Sequence, residues 1–399
     1  MIRRQEYFEK LAGYQDKKII KVVTGIRRCG KSTLLRMFQE YLREQGVPGE
    51  QIIAVNFEDF EFDELREAKA LYRYLKERLV EGRMTYIFLD EIQNVNEFQR
   101  VVDSLFLKEN VDIYMTGSNA YLLSGELATL LTGRYVKIEM LPLSFYEYVS
   151  AQGADDGAEE AYRRYVESSS FPYVLNLEQE QVRDYLSGIY DSIVVKDIIS
   201  RKKIDDVMML ESVIRFLLDN LGSQLSTKKI SDTMTSNGRK INVRTVESYV
   251  SSLMESYIIY QAKRYDIKGR QYLKTLEKYY VVDVGLRNTM LGQAGRDAGH
   301  ILENIVYLEL IRRGYEVCVG KMGDVEIDFV ARDETGRKYI QVAATVRDEK
   351  TLERELRPLQ KIQDNYPKCI LTLDMDPAAD YEGIRKINAL DYLLHKVEI

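Results

Sequence analysis

The sequence predicts an α/β protein: a parallel sheet wrapped by helices, then a helical region closed by a hairpin, then a second and smaller α/β unit. Three observations predict it. Over the first 140 residues, short β-rich runs alternate with amphipathic helical stretches, the pattern of repeated βαβ units. From residue 144 the texture turns helical up to a candidate hairpin at 260–283, and a further set of strand-like runs follows after residue 315. The chain has 399 residues, 45% hydrophobic and 30% charged, with 6 Pro and 24 Gly, which excludes disordered and collagen-like chains and leaves room for two to four cores.

Taken in order, strands are expected at 19–23, 52–57, 86–89, 111–115 and 135–140, with helices at 32–45, 64–80 and 96–108 between them, giving one α/β domain over 1–143. Residues 144–201 read as a small helical lid, with a Gly/Asp break at 153–157. Three helices at 208–221, 227–235 and 243–257 precede two candidate strands, 260–264 and 279–283, around a basic loop at 266–278; three helices and a hairpin make a winged helix over 202–284. Residues 285–399 hold a helix at 301–313 and strands at 316–319, 325–330, 338–344 and 368–373, with a helix between the last two.

The net charge of −6 is unevenly spread. Residues 1–200 carry 25 Lys+Arg against 33 Asp+Glu, residues 201–282 carry 15 against 9, and residues 283–399 carry 17 against 21. A basic middle between acidic flanks suits a polyanion such as nucleic acid, and equally a solvated surface. Cys29, Cys318 and Cys369 are too few and too scattered for a disulfide framework, and His300 and His395 are the only histidines, so a zinc site or a His-based triad is not expected. The charged N-terminus lacks the apolar core of a signal peptide and no run of about 20 apolar residues follows, so a cytoplasmic chain without a membrane partner is expected.

The chemistry begins at Gly25-Ile26-Arg27-Arg28-Cys29-Gly30-Lys31-Ser32, which matches GxxxxGK[ST] between an expected strand and an expected helix. Glycines let backbone N–H groups turn inward around a β-phosphate, the helix N-terminus adds positive potential, Lys31 reaches β/γ oxygens, and Ser32 offers a hydroxyl to Mg²⁺. Thr33 falls near the α-phosphate, while Arg27 and Arg28 lie in the loop and can equally point to solvent. An apolar strand ends in Asp90-Glu91; Asp90 would hold Mg²⁺ through water and Glu91 would polarise the attacking water. Asn119, after the next strand, either orients that water or caps a helix. Arg134, just before the last strand, either reaches a neighbouring subunit's γ-phosphate in a homo-oligomer or is a surface residue.

Thr24 to Leu35 around the phosphate loop, Ile87 to Gln93, Thr116-Gly117-Ser118-Asn119-Ala120 with the segment 122–124, 131–135 and 141–147 together resemble the AAA-type ATPases of bacteria and archaea that carry a C-terminal domain of unknown function numbered 4143. The resemblance covers essentially the whole chain. It implies a P-loop NTPase core of the ASCE class, a helical lid, a winged helix and a terminal PD-(D/E)XK-like α/β domain similar to restriction endonucleases; ATP and Mg²⁺ are expected between the α/β core and its lid.

In the winged helix, 226–234 and 242–250 have the layout of a helix-turn-helix. Arg239, Lys240 and Arg244 cluster at the start of its second helix, and Lys263, Arg264, Lys268, Arg270 and Lys274 load the wing. Such residues suit phosphate contacts with DNA of little sequence choice, although winged helices inside NTPases also serve protein contacts. In the terminal domain, Glu303, Asp328 and Gln341 occupy the acid positions of a nuclease, but Gln341 replaces a glutamate and Ala343 the lysine. Loss of the only cation and one carboxylate makes a degenerate, silent nuclease the expectation, even though Glu303, Asp324, Glu326 and Asp328 retain oxygens for a metal. The whole reads as an ATPase acting on DNA; the alternatives are a nucleotide-dependent switch signalling to a protein partner and an ATP-driven nuclease.

Overall fold

The computed structural model describes residues 2–120, 131, 133–153, 157–292 and 297–399. The segment 122–124 and Thr132, which carry part of the resemblance above, lie outside the described residues. The chain divides into two compact units, Met1–Pro142 with Glu255–Tyr257, and Leu143–Met254 with Ile258–Ile399.

Among the described residues the first unit holds five strands, β1 (Ile20–Thr24), β2 (Ile52–Asn56), β3 (Thr85–Asp90), β4 (Val111–Gly117) and β5 (Tyr135–Glu139). All pair in parallel in the order β2-β3-β4-β1-β5. The three inner strands are buried at every position, as apolar runs must be when helices cover both faces of a parallel sheet. Ile20, Val22, Ile87, Leu89, Ile113 and Met115 pack with Leu71, Leu75, Val101, Val102 and Leu105 of the helices Ala68–Glu77 and Phe98–Phe106. A buried ion pair sits inside this sheet: the ammonium of Lys21 is paired with Asp112 on the adjacent strand and lies 4.9 Å from the ring centre of Tyr114. Where one helix is expected over 64–80, the chain makes a 3₁₀ segment, Phe60–Arg66, and a separate helix, Ala68–Glu77, because Glu67 adopts an extended backbone between them.

The second unit opens with the helices Phe145–Gln152, Ala158–Glu167 and Gln179–Ser192. Ser144 and Glu147 cap the first of these reciprocally, at 3.0 and 2.9 Å. The helices Val207–Asp219, Thr227–Ser236 and Val243–Glu255 follow, each started by a polar side chain that accepts a backbone N–H: Asp206 from Met209 at 2.9 Å, Ser226 from Lys229 at 3.1 Å and Asn242 from Thr245 at 2.8 Å. The remaining strands are β6 (Ile259–Asp266), β7 (Gln271–Val281), β8 (Glu316–Met322), β9 (Val325–Asp333), β10 (Gly336–Ala343), β11 (Lys368–Thr372), β12 (Ala379–Tyr381) and β13 (Ile384–Asn388). They form one eight-stranded mixed sheet in the order β12-β13-β11-β10-β9-β8-β6-β7.

Two features of that sheet differ from the sequence reading. The basic stretch 266–278 is mostly strand: β7 starts at Gln271, with Tyr265 opposite Tyr272 and their rings 5.6 Å apart. The hairpin β6–β7 also continues the terminal sheet, since β6 pairs in parallel with β8 through Arg264 and Val319.

Asp283 joins two helical segments of this unit. Its carboxylate accepts from the Ser170 backbone N–H at 2.7 Å, the Ser170 and Ser169 hydroxyls, and Leu286 N–H at 2.6 Å, so it caps the helix Val284–Leu291 and holds the 168–170 turn together. Gly285 lies against that turn: a β-carbon there would fall 1.8 Å from the Ser168 carbonyl oxygen. Gly285→Ala is expected to destabilise the chain by about 3 kcal/mol or more, read as a lowered urea midpoint, because the contact is with backbone that cannot rotate away.

Candidate functional site

The order β3-β4-β1 sets the C-terminal ends of three parallel strands side by side, and the first candidate site is built from the loops that leave them. After Thr24 the chain turns through Gly25 at φ +143°, Arg28 at φ +66° and Gly30 at φ +107°, then enters the helix Lys31–Glu44. Only glycine fits at position 25, where a β-carbon would come within 2.1 Å of the Met140 carbonyl oxygen. Lys31 is buried; its ammonium donates to the carbonyls of Gly25 at 3.0 Å and Ile26 at 3.1 Å and lies 3.6 Å from a carboxylate oxygen of Glu91. Arg27 pairs with Glu58 at 3.1 Å, and Arg28 is exposed. Ile26 and Cys29 are fully buried, and burial pushes the Cys29 thiol pKa up, which makes it a packing residue. Arg4 braces the loop from the N-terminal segment, donating to the Cys29 carbonyl at 3.0 Å and the Leu141 carbonyl at 2.7 Å.

Thr116, at the end of β4, organises the acids. Its hydroxyl donates to Asp90 at 2.5 Å and accepts the backbone N–H of Glu91 at 2.8 Å, fixing the left-handed backbone of Glu91 at φ +54°. Burial raises the Asp90 pKa, opposed by hydrogen bonds from Ser32 and Thr116 that favour its charged form. Burial pushes Glu91 the same way, but Lys31, with Gln93, Arg27 and Ser118, reverses it and holds that carboxyl below its ordinary value. The Gln93 amide nitrogen donates to the Glu91 carboxylate and, at 3.3 Å, to the Ser118 hydroxyl, while the Gln93 carbonyl oxygen is shielded from solvent without a hydrogen-bond partner among the described residues. The carboxylate dictates this amide orientation, since the flipped one would set two acceptors face to face. Sequence reasoning quoted Thr116 and Gln93 within motifs without assigning them a role; only the register of β3 against β4 reveals it.

Lys31, Ser32, Asp90 and Glu91 therefore converge, and Asn119 is buried just past the end of β4. Thr33 is half-buried in the first turn of the loop's helix. Arg134 does not join them. It precedes β5, whose first residue Tyr135 lies beside Ile20 at the start of β1, the end of the sheet remote from the phosphate loop. Its guanidinium pairs with Asp103 and lies 5.6 Å from the ring centre of Phe106. Arg239, Lys240 and Arg244 are exposed around the start of the helix Val243–Glu255, though Arg239 is engaged by the Met208 carbonyl at 3.0 Å. Lys268 and Arg270 are exposed at the β6–β7 turn, and the side chain of Lys274 lies outside the described residues.

A second constellation lies within the second unit, at a cavity of about 650 Å³ lined by Lys278, Glu303, Glu326, Asp328, His300 and Arg354 among others. The Lys278 ammonium, on β7, is 2.8 Å from Glu303, 2.9 Å from Glu326 and 3.3 Å from Asp328. Burial alone would lower its pKa; the three carboxylates instead raise it well above the ordinary lysine value. One ammonium cannot neutralise three acids, and Glu303, the most buried, is pushed up to about 7 by burial and by Asp328. Gln341 accepts from Asp328 N–H at 2.7 Å and donates to Glu355 at 2.8 Å. A glutamate at 341 would face the Glu355 carboxylate across that second contact. Asp324 is apart from the cluster, paired with Lys361 at 2.5 Å, and Lys338 donates to the Tyr315 hydroxyl at 2.8 Å. The expectation that the site lacks a cation is thus corrected: Lys278, missed in the sequence, supplies one from a strand of the hairpin.

An AAA domain matches residues 17–149, and Domain of unknown function (DUF8612) matches residues 159–297, in place of the domain numbered 4143 that the resemblance implies. Among solved structures the chain is similar to the Walker-type ATPase PABY2304 of Pyrococcus abyssi, at 15% identity and TM-score 0.48 over 73% of this chain and 96% of that one. It is also similar to the Orc1 protein of Aeropyrum pernix in complex with DNA, at 14% identity and TM-score 0.32 over 73% and 93%. An uncharacterized Methanocaldococcus jannaschii protein is 28% identical over 95% of this chain and 86% of its own length. An uncharacterized protein of Haemophilus influenzae is 42% identical over 99% of both chains. The chain belongs to the same family as that Haemophilus protein, and its own residues 17–149 are an AAA domain with a P-loop NTPase fold.

Proposed function

We propose that the first unit binds and hydrolyses ATP with Mg²⁺ and that the second unit couples this to DNA. The observation that carries the first half is the meeting of Lys31, Ser32, Asp90 and Glu91 around the glycine turn, with Glu91 held charged. The residues fit a magnesium ion: the Ser32 hydroxyl and Asp90 carboxylate are hard oxygens hydrogen-bonded to each other at the start of the helix that follows the glycine turn. Once bound, Mg²⁺ supplies Lewis-acid polarisation of the phosphate oxygens. Lys31 turns from Glu91 to the β/γ oxygens when a triphosphate enters, because three phosphates outbid one carboxylate for the ammonium. Glu91, relieved of that partner, takes the proton of the attacking water. Gln93 keeps the carboxylate in place through its amide nitrogen and offers its free carbonyl oxygen to the same water. Asn119 lies past the end of the same strand as Thr116 and would orient the attacking water.

Support for DNA is electrostatic: Lys240, Arg244, Lys268 and Arg270 are exposed in the basic segment, at the start of a capped helix and at a hairpin turn. We read the terminal sheet, with Glu303 on the helix Ala298–Arg312, Asp328 on β9 and Gln341 on β10, as a nuclease-like fold that does not cleave. The partition into core 1–143, lid 144–201, winged helix 202–284 and terminal domain 285–399 belongs to this proposal, as do a cytoplasmic location and any oligomer that would use Arg134.

Lys31→Ala is expected to abolish the rise in melting temperature that Mg-ATP produces, whereas Glu91→Gln keeps that rise and lowers kcat by about 10² to 10⁴-fold. Hydrolysis by Glu91→Gln at the wild-type rate would remove Glu91 as the base. Gln93→Ala is expected to lower kcat by about 10-fold or more with KM little changed, as for a group that acts on the transition state alone. Alanine at Arg244, Lys268 and Arg270 together is expected to weaken binding to mixed-sequence duplex DNA and to flatten its salt dependence, measured by fluorescence anisotropy.

A further inference from the structure

A nuclease-like sheet implies a divalent cation held by acids, and Glu303, Glu326 and Asp328 are the acids available. We infer that Lys278 is the resident cation of this carboxylate cluster, standing where a metal ion would have to sit, so that the cavity takes no divalent ion in the native chain. The ammonium nitrogen lies 2.8 to 3.3 Å from one oxygen of each acid. Magnesium and calcium sit about 2.0 to 2.6 Å from their oxygen ligands, so an ion touching the same three oxygens would occupy the position of that nitrogen.

Each acid also accepts from a second protein donor. Glu303 also accepts the Tyr280 hydroxyl at 2.7 Å, Glu326 accepts the Gln224 amide, and Asp328 accepts the Val342 backbone N–H at 3.0 Å. Gln341, in the place of a nuclease glutamate, is tied to Asp328 and Glu355 and offers no charge. Among the described residues no group of three Asp, Glu, His or Cys side chains is arranged to hold a metal. Lys278 is itself only 4% exposed and is anchored between Glu277 and Tyr279 in the middle of a strand, so the ammonium cannot swing out to solvent as a surface lysine would. The sequence makes this domain silent for want of a cation; the structure makes it silent because the cation is covalently attached. This inference concerns the second unit alone and does not depend on ATP hydrolysis.

The test is a Mn²⁺ titration of the full, nucleotide-free chain, read by the electron paramagnetic resonance signal of free Mn²⁺ and by melting temperature. The chains compared are the wild type, Asp328→Asn, Lys278→Met and Lys278→Met/Asp328→Asn. Any weak binding by the acids of the first unit is common to all four and cancels. We expect the wild type and Asp328→Asn to bind Mn²⁺ alike, Lys278→Met to gain one further ion and to melt higher with it, and the double variant to lose that gain. Wild-type binding that Asp328→Asn weakens about tenfold or more overturns the inference, because metal and ammonium then coexist. A folded Lys278→Met that takes up no more Mn²⁺ than the wild type overturns it as well. Should Lys278→Met fold only weakly without metal, recovery of helical circular dichroism on refolding with Mn²⁺ supports the inference, and failure of Mn²⁺ to restore it overturns it.

Discussion

A charge withdrawn from water must meet an opposite charge within a few ångström, and that constraint shapes three places in this chain. An uncompensated buried ion costs several kcal/mol, and three buried ammonium groups are found against carboxylates. Lys21 meets Asp112 across β1 and β4, Lys31 meets Glu91 at the phosphate loop, and Lys278 meets three acids at the terminal sheet. The chemistry open to each differs by how well the pairing is satisfied. Lys21 is sealed within the sheet and also sits on an aromatic ring. Lys31 has a more distant carboxylate at 3.6 Å and two neutral carbonyls, partners that a more highly charged ligand can displace.

Sheet order turns that local electrostatics into a site. Because β4 lies between β3 and β1, Thr116 can hold Asp90 and Glu91 while Asp90 receives the Ser32 hydroxyl from the helix after β1. The same order carries Arg134 away: a parallel neighbour of β1 must begin where β1 begins, so a residue just ahead of β5 falls at the far edge.

Those examples mark how far the sequence was legible. The five parallel strands, the glycine turn and the Asp90-Glu91 pair were readable because each is written in contiguous residues whose spacing alone implies a strand, a turn or a helix start. The roles of Thr116 and Gln93 were not, since Thr116 acts on Asp90 and Glu91 and Gln93 reaches Ser118 across 25 or so residues, through strand register. Lys278 was the hardest case. It lies 25 residues before Glu303 and 50 before Asp328, at the end of a stretch read as a basic loop, and only the pairing of a hairpin into a distant sheet brings it there. Strand β12, at three residues, is too short to announce itself by alternation.

The union of β6 and β7 with β8 has a practical corollary for anyone dissecting the chain. A fragment begun at residue 285 would strip two strands from one side of an eight-stranded sheet, baring the unpaired backbone of β8 and leaving three acids without their ammonium. Such a naked edge is a template for association with further copies, so the terminal piece belongs with its preceding hairpin whenever it is to be handled alone.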